Sequence, residues 1–246
     1  MGKYFEPFLG GAAVFFHLNH PQSFLSDTNR ELVELYQVVK QEVEGLIEVL
    51  QIHKYERTYY YGVRSQNPLT LTPVQRAARL IYLNKTCFNG LYRVNSKGQF
   101  NVPFGRYKNP NICDPEGLRA ASKALRQADI SIGDFESILG KAEKGDFVYF
   151  DPPYHPMTKT SSFTSYTAGN FGEPEQRRLA EVYARLAERG CYVMLSNSDT
   201  PLIRELYCRF HIHEIRANRA INSKPERRGK ITELLIVNYN HISALE

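Results

Sequence analysis

Short, dense apolar runs alternate along the chain with longer stretches in which apolar residues return every three or four positions, and glycine or proline marks most boundaries. The dense runs read as strands buried on both faces, the periodic stretches as amphipathic helices. Tyr4 to Phe8 is the first strand; Gly10-Gly11 turns the chain, and Ala12 to Leu18 carries a helical apolar face. Ser23 to Ser26 is a second strand, and one helical period then extends from Glu31 to Tyr55. Thr72-Pro73 opens a helix running towards Asn84, with proline at the first helical position. Further helices are expected over Gly117 to Gln127, Pro174 to Arg189 (stopped by Gly190) and Leu202 to Tyr207. Further strands are expected over Asp129 to Gly133, Phe147 to Phe150 and Tyr192 to Ser196, with His211 to Ile215 and Leu234 to Asn238 as a closing pair. This alternation predicts an α/β fold, a Rossmann-like mixed sheet with helices on both faces. The aromatic run Tyr59 to Tyr61 receives no role.

One strand ends in a way that carries chemistry. Phe147 to Phe150 stops at Asp151-Pro152-Pro153-Tyr154, where neither proline can donate a ladder hydrogen bond and each ring fixes its own φ. A carboxylate, two carbonyls and an aromatic ring are left at the carboxyl end of a strand, where open α/β sheets bind ligands. That set suits alkylation of an exocyclic aromatic amine, a poor nucleophile because its lone pair is delocalised into the ring. Two acceptors, Asp151 and the Pro152 carbonyl, would take both N–H bonds and localise the pair, while Tyr154 stacks on the base. A base inside a duplex must first be rotated out of the stack. Taken alone, the four residues read equally well as a strand capped by a Pro-Pro turn. His155 is next in line but is not needed as a base for this chemistry.

Two other strand ends add to the picture. The strand, glycine turn and helix at the start resemble a nucleotide-binding opening, and Asp27 falls where such folds hold a ribose hydroxyl pair. An ordinary tight turn and an aspartate capping the next helix fit the same residues. Gly133-Asp134-Phe135 ends another strand: Asp134 facing an adenine amine and Phe135 on the ring face is one reading, a helix cap and a core ring the other.

Asn84 to Lys108 is unlike the rest. It holds three glycines, four asparagines, five aromatics and five basic residues, too polar for core. Asn95-Ser96-Lys97-Gly98 reads as a hairpin turn. Basic groups meet phosphate, amides and arginine read base edges, and aromatics stack or wedge, so nucleic-acid contact is favoured over a purely structural loop. Two later segments are polar: Phe163 to Thr167, a lid in expectation, and Arg216 to Lys230, whose six basic residues against one acid suit phosphate tracking beside a DNA site.

Bulk properties narrow the class. With 246 residues and 42% hydrophobic content, one domain, or one with an insertion, is expected. No apolar run is long enough to span a membrane. Net charge of +5 suits a polyanionic partner. Cys87, Cys113, Cys191 and Cys208 are scattered without metal-ligand spacing, which suits thiols in a reducing cytoplasm and gives no reason to expect a metal.

These residues together resemble the DNA adenine-N6 methyltransferases of the Dam type, in the DpnM-like group that modifies GATC, over nearly the whole length. The resemblance rests on Glu6-Pro7-Phe8-Leu9-Gly10-Gly11, Asp27, Asn89-Gly90-Leu91-Tyr92-Arg93, Phe100 to Tyr107, Gly133-Asp134-Phe135, Asp151 to Tyr154, Leu195-Ser196-Asn197-Ser198 and Glu233 to Tyr239. It implies S-adenosylmethionine as methyl donor, held by Phe8, Gly10, Gly11, Asp27, Asp134, Phe135 and Asp151. It implies Asp151, Pro152 and Tyr154 as the catalytic set. It implies double-stranded DNA as partner, with Phe88 wedging into the stack and Asn89, Leu91, Arg93, Asn95, Pro103, Arg106 and Tyr107 as DNA contacts. Residues 1–51 and 116–246 would form the catalytic domain, and 52–115 a mostly helical target-recognition insertion with its hairpin at 88–107. A cytoplasmic enzyme of bacterial or phage origin follows, with a cognate restriction endonuclease only as a genetic partner.

The chain departs from the family pattern in two places. The glycine turn usually reads Phe-x-Gly-x-Gly, whereas Ala12 takes the last position and is expected to fit by being helical already. The family's Lys-Trp-x-Gly-x-Lys segment lies upstream of the first strand, where this chain starts, so a version extended at its N-terminus is expected to bind donor more tightly. The competing readings are an RNA or protein amine methyltransferase and a catalytically impaired DNA-binding remnant. Cytosine-C5 chemistry needs a thiolate nucleophile, and no cysteine here follows a proline as that site requires.

Overall fold

The computed structural model describes residues 2–157, 171–218 and 230–240. The expected lid segment at 163–167 lies outside the described residues, as does the basic stretch 219–229. Seven strands form one sheet: β1 (Tyr4–Glu6), β2 (Ser23–Asp27), β3 (Ala128–Ile132), β4 (Phe147–Phe150), β5 (Tyr192–Ser198), β6 (His211–Asn218) and β7 (Lys230–Val237). Their order is β3-β2-β1-β4-β5-β7-β6, with β7 antiparallel to both its neighbours and the other described pairings parallel. The mixed sheet expected from the sequence is the one observed.

Period-two alternation explains the layering. Val148 and Phe150 of β4 pack on one face of the sheet, against Leu179, Val182, Tyr183 and Leu186 of α7 (Glu173–Arg189). Tyr149 points the other way, into a core shared with Tyr4, Leu25 and Ile130 and roofed by helices. Those helices are α1 (Ala13–Leu18), α2 (Arg30–Gln41), α3 (Val43–Gln51), α5 (Pro73–Thr86) and α6 (Pro115–Leu125); α4 (Arg57–Ser65) and α8 (Pro201–Leu206) complete the set among the described residues.

The single helical period read over Glu31 to Tyr55 is two helices. Glu42 breaks it with φ −133° and ψ 38°, and because the apolar face continues nearly in phase, periodicity alone does not reveal the break. Helix α5 begins as expected: the Thr72 hydroxyl accepts from the Gln75 amide and the Gln75 side chain accepts from the Thr72 amide. Gly190, at φ 88°, ends α7 in the left-handed cap position glycine favours.

A second, smaller core lies away from the sheet. Tyr60 and Val63 of α4, Tyr82 and Leu83 of α5, and Cys87, Phe100 and Val102 pack together. Helix α5 faces both ways, with Ala77 and Ala78 in the main core and Tyr82 and Leu83 in the small one.

Candidate active site

Strands β1 to β4 run parallel, so their carboxyl ends share one edge of the sheet. Phe8, Gly10 and Gly11 follow β1, Asp27 ends β2, Asp134 and Phe135 follow β3, and Asp151, Pro152 and Tyr154 follow β4. From β1 the chain turns through α1 to β2 on one side; β4 pairs with β1 on the other. That reversal is the switch point at which doubly wound sheets bind ligands.

Asp27 ties the first two strand ends together. Its carboxylate accepts from the Gly10 amide at 3.3 Å and the Asn29 amide at 2.8 Å, while the Tyr36 hydroxyl donates to the Gly10 carbonyl at 3.0 Å. Burial pushes the Asp27 carboxyl up despite these donors. Gly10, at φ 46°, makes the turn, and open space surrounds the position a Cβ would take at Gly11. Ala12 corrects the expectation from the sequence: it is not in the right-handed helix but caps α1 in the left-handed region, at φ 53° and ψ 31°. A Cβ there costs about 1–2 kcal/mol, which is why glycine is the usual occupant.

At the end of β3 both expected chemistries have partners inside the protein. The two Asp134 oxygens accept from Arg178 at 2.7 and 2.8 Å, and Oδ1 also accepts from the Glu136 amide, so the aspartate does cap the following turn. The Arg178 hydrogen bonds hold the Asp134 carboxyl below the usual range. The same guanidinium lies 4.1 Å from the Phe135 ring centroid, and Phe8 stacks on Phe135 at 5.4 Å. Nothing local in the sequence signals Arg178, which meets Asp134 across 44 positions.

Asp151 stands at the end of β4, reached by solvent yet closely surrounded by protein. That shielding pushes its carboxyl up to about 6, with the nearby Tyr154 hydroxyl opposing and Glu233 reinforcing the shift. Tyr154 is 38% exposed, so its ring is free to cover a ligand, and its hydroxyl lies 3.5 Å from the Glu233 carboxylate. Beneath them the Tyr149 and Ser196 hydroxyls meet at 2.9 Å. Glu6, one strand over, is 2% exposed and accepts from the Tyr4 hydroxyl at 2.7 Å and the Phe15 amide at 3.0 Å. Burial pushes it up to about 7. The one clue to Glu6 in the sequence is an acid inside a run that otherwise reads as buried strand.

The residues after Asp151 are fastened to β5 and α7. Gln176 donates to the Pro153 carbonyl at 2.9 Å, the His155 amide donates to Asn197 at 3.0 Å, and the Ser198 hydroxyl donates to the His155 carbonyl. His155 Nδ1 is paired with the Thr200 hydroxyl at 3.0 Å. These partners lie 23 to 45 positions apart, beyond the reach of any sequence motif.

The segment at 88–107 forms the expected turn. Asn95 Oδ1 accepts from the Lys97 and Gln99 amides, both at 3.0 Å, and Gly98 sits at φ 74°. Antiparallel bridges join Val94 to Phe100 and Cys87 to Phe104. The Asn95 side chain is thereby committed to the turn, and Arg93 is braced across it by Asn101 at 2.7 Å. Phe88, Leu91 and Tyr107 are large exposed side chains, with Asn89, Pro103 and Arg106 exposed beside them. Asn89 sits at φ 55° in the turn that presents Phe88. A cavity of about 580 Å³ opens here, between Tyr55, Arg57, Tyr61, Phe88, Arg106 and Tyr107; none of the strand-end carboxylates lines it.

Fold and site together define a methyltransferase. The chain belongs to the D12 class N6 adenine-specific DNA methyltransferases, whose family model matches residues 1–221. It is 47% identical over 246 residues to the type II methyltransferase M1.LlaDCHI of Lactococcus lactis subsp. cremoris, covering 97% of this chain and 87% of that one. It is 47% identical over 255 residues to the type II methyltransferase M.MjaIII of Methanocaldococcus jannaschii (96% and 88% covered). With the DNA adenine methylase of Escherichia coli K12 it shares 36% identity over 234 residues (94% and 84% covered). Among the described residues, no helix is long and apolar enough to cross a membrane, and no group of three or more His, Cys, Asp or Glu is placed to hold a metal ion.

Proposed function

We propose that this DNA adenine methyltransferase transfers a methyl group from S-adenosylmethionine to adenine N6 at GATC in duplex DNA, on a base rotated out of the helix. The observation that carries the reading is the convergence of Asp151, Pro152 and Tyr154 with the Gly10 turn and Asp27 on one sheet edge. The donor fits the residues present: an acid at the end of β2 for ribose hydroxyls, a turn with open space at Gly11, and aromatic rings at Phe8 and Phe135. Adenine contact with Asp134 and with the face of the buried Phe135 ring that Arg178 covers requires Arg178 to give way.

When bound, the donor supplies an electrophilic methyl carbon on a sulfonium. Asp151 and the Pro152 carbonyl accept the two N6–H bonds, drawing the nitrogen lone pair out of the purine ring. Tyr154 covers the ring face. On methyl transfer the amine would gain positive charge, which the Asp151 carboxylate would sit beside and stabilise. One N6 proton then leaves, after the carbon has arrived. With its carboxyl at about 6, Asp151 is mostly ionised at neutral pH and ready to accept.

Residues 52–115 serve as the recognition insertion, carried by their own small core. Phe88 takes the space the adenine vacates. Arg93, Leu91, Asn89, Pro103 and Tyr107 face bases, Arg106 a phosphate, and Asn95 keeps the hairpin turned. GATC rests on the likeness of 89–93 and 100–107 to the Dam-type recognition strings. Plasmid treated with the enzyme and digested with nucleases sensitive or blind to adenine methylation at GATC tests the reading. Protection from the sensitive nuclease is expected; unprotected plasmid, or labelled methyl appearing only in structured RNA, overturns it.

A further inference from the structure

The Asp151-Pro152-Pro153-Tyr154 turn presents a mechanical problem that the rest of the fold solves. Two successive prolines remove two backbone donors, so the turn cannot be pinned through its own amides there. Its anchors come from side chains instead. Gln176 Nε2 donates to the Pro153 carbonyl at 2.9 Å, and Gln176 Oε1 accepts from Asn197 Nδ2 at 3.0 Å. Asn197 Oδ1 accepts from the His155 amide at 3.0 Å and the Ser198 amide at 2.9 Å. Gln176 and Asn197 are both fully buried. This chain of amides runs in one direction only. Turning either amide over sets oxygen against oxygen and leaves buried groups unpaired, at about 1–3 kcal/mol each.

We propose that Gln176 and Asn197 are positioning residues for methyl transfer, aiming the Pro152 carbonyl by clamping the chain just beyond it. The Pro153 ring fixes its own φ, so a clamp on the Pro153 carbonyl limits how far the preceding peptide plane can swing. The clamp on the His155 amide holds the far end of the turn, beyond Tyr154. Neither side chain needs to touch the base or the donor. The inference rests on the N6-transfer reading above, since the Pro152 carbonyl has this task only in that reaction.

Asn197→Asp and Gln176→Glu test it with almost no change in volume. In Asn197→Asp the new carboxylate can still accept from His155 and Ser198, but its second oxygen faces Gln176 Oε1. If Gln176 turns to answer, its own oxygen faces the Pro153 carbonyl. In Gln176→Glu a carboxylate oxygen faces the Pro153 carbonyl directly. Single-turnover methyl transfer is expected to fall about 100-fold in each, the scale of an ångström-level misplacement of a reacting group. DNA affinity is expected to stay at the wild-type level, as is the fluorescence rise of 2-aminopurine placed at the target adenine. Gln176→Met adds no charge and loses the same donor, which keeps the test decisive should a buried carboxylate unfold the chain. Val182→Ala, a cavity in the same helix, is the control for destabilisation alone and should transfer at the wild-type rate once folded. Wild-type rates in all three amide variants overturn the inference. So does loss of the 2-aminopurine signal in step with the rate, or equal slowing in Val182→Ala. If the wild-type enzyme itself transfers no methyl to adenine N6, the underlying reading fails instead.

Discussion

The turn after β4 and the hairpin at 88–107 are held in opposite ways. The buried Val148 and Phe150 anchor the first in the sheet, and amides from two other elements clamp its exit. The second is braced within itself, by the Asn95 turn, the Arg93–Asn101 pair and a small core shared with α4 and α5, and it shows Phe88 and Leu91 to solvent. On the proposed reading, the reacting groups sit where an error of an ångström is resisted by the whole sheet, and the base-reading groups where side chains can change without disturbing it.

The sharpest break of that contrast is Asp151→Asn, which should cost about 10³-fold in single-turnover rate while DNA affinity stays near wild type, because one acceptor and its charge are lost at the reacting nitrogen. Near-wild-type turnover would remove Asp151 from the chemistry. Next come two truncations measured side by side. Phe150→Ala should cost about 3–5 kcal/mol in chemical denaturation, as buried aromatic truncations do. Arg93→Ala should leave the melting temperature nearly unchanged and cost about 1–3 kcal/mol of discrimination between GATC and a one-base variant. Equal stability losses would show that the hairpin is as structural as the sheet.

Acid and base set a smaller pair of effects. Asp151, at about 6, must be ionised to accept, so kcat/KM should fall as pH drops through that value. Glu6 acts on stability with the other sign. Its folded value of about 7 lies above the ordinary 4.5, so its contribution is complete below 4.5 and is lost as pH rises through 7. Glu6→Gln should therefore melt alongside the wild type at pH 4.5 and above it at pH 8; an unchanging gap would mean that Glu6 is charged throughout. Smallest is Ala12→Gly, expected to stabilise by about 1 kcal/mol in denaturant melts by relieving the left-handed Cβ.

Much of this could be read from the chain, and the limit is physical. Phe147 to Phe150, the Thr72 cap and the Gly190 stop are local signals, and all three stand as expected. The break at Glu42 leaves the apolar period intact, so it was invisible. At Asp134 the sequence offered a cap or a ligand contact; the cap is formed, and Arg178 holds the rest of the carboxylate. Gln176, Asn197 and Arg178 acquire their partners only when distant strands and helices close, and no spacing rule reaches that far.

Arg79 has a consequence for re-engineering target choice. Its buried guanidinium donates to the Val63 and Arg64 carbonyls in the last turn of α4 and pairs with Glu31 of α2 at 3.5 Å. Glu31 also accepts from Tyr92, inside the reading segment. Helix α4, helix α5 and the hairpin are therefore tied to one another through Glu31 of α2. Transplanting 57–107 from a relative carries the Arg79 fastening to α4 with it, but the Glu31 carboxylate that seats Tyr92 and the Tyr55 hydroxyl that holds Gly105 and Tyr107 stay behind in the host.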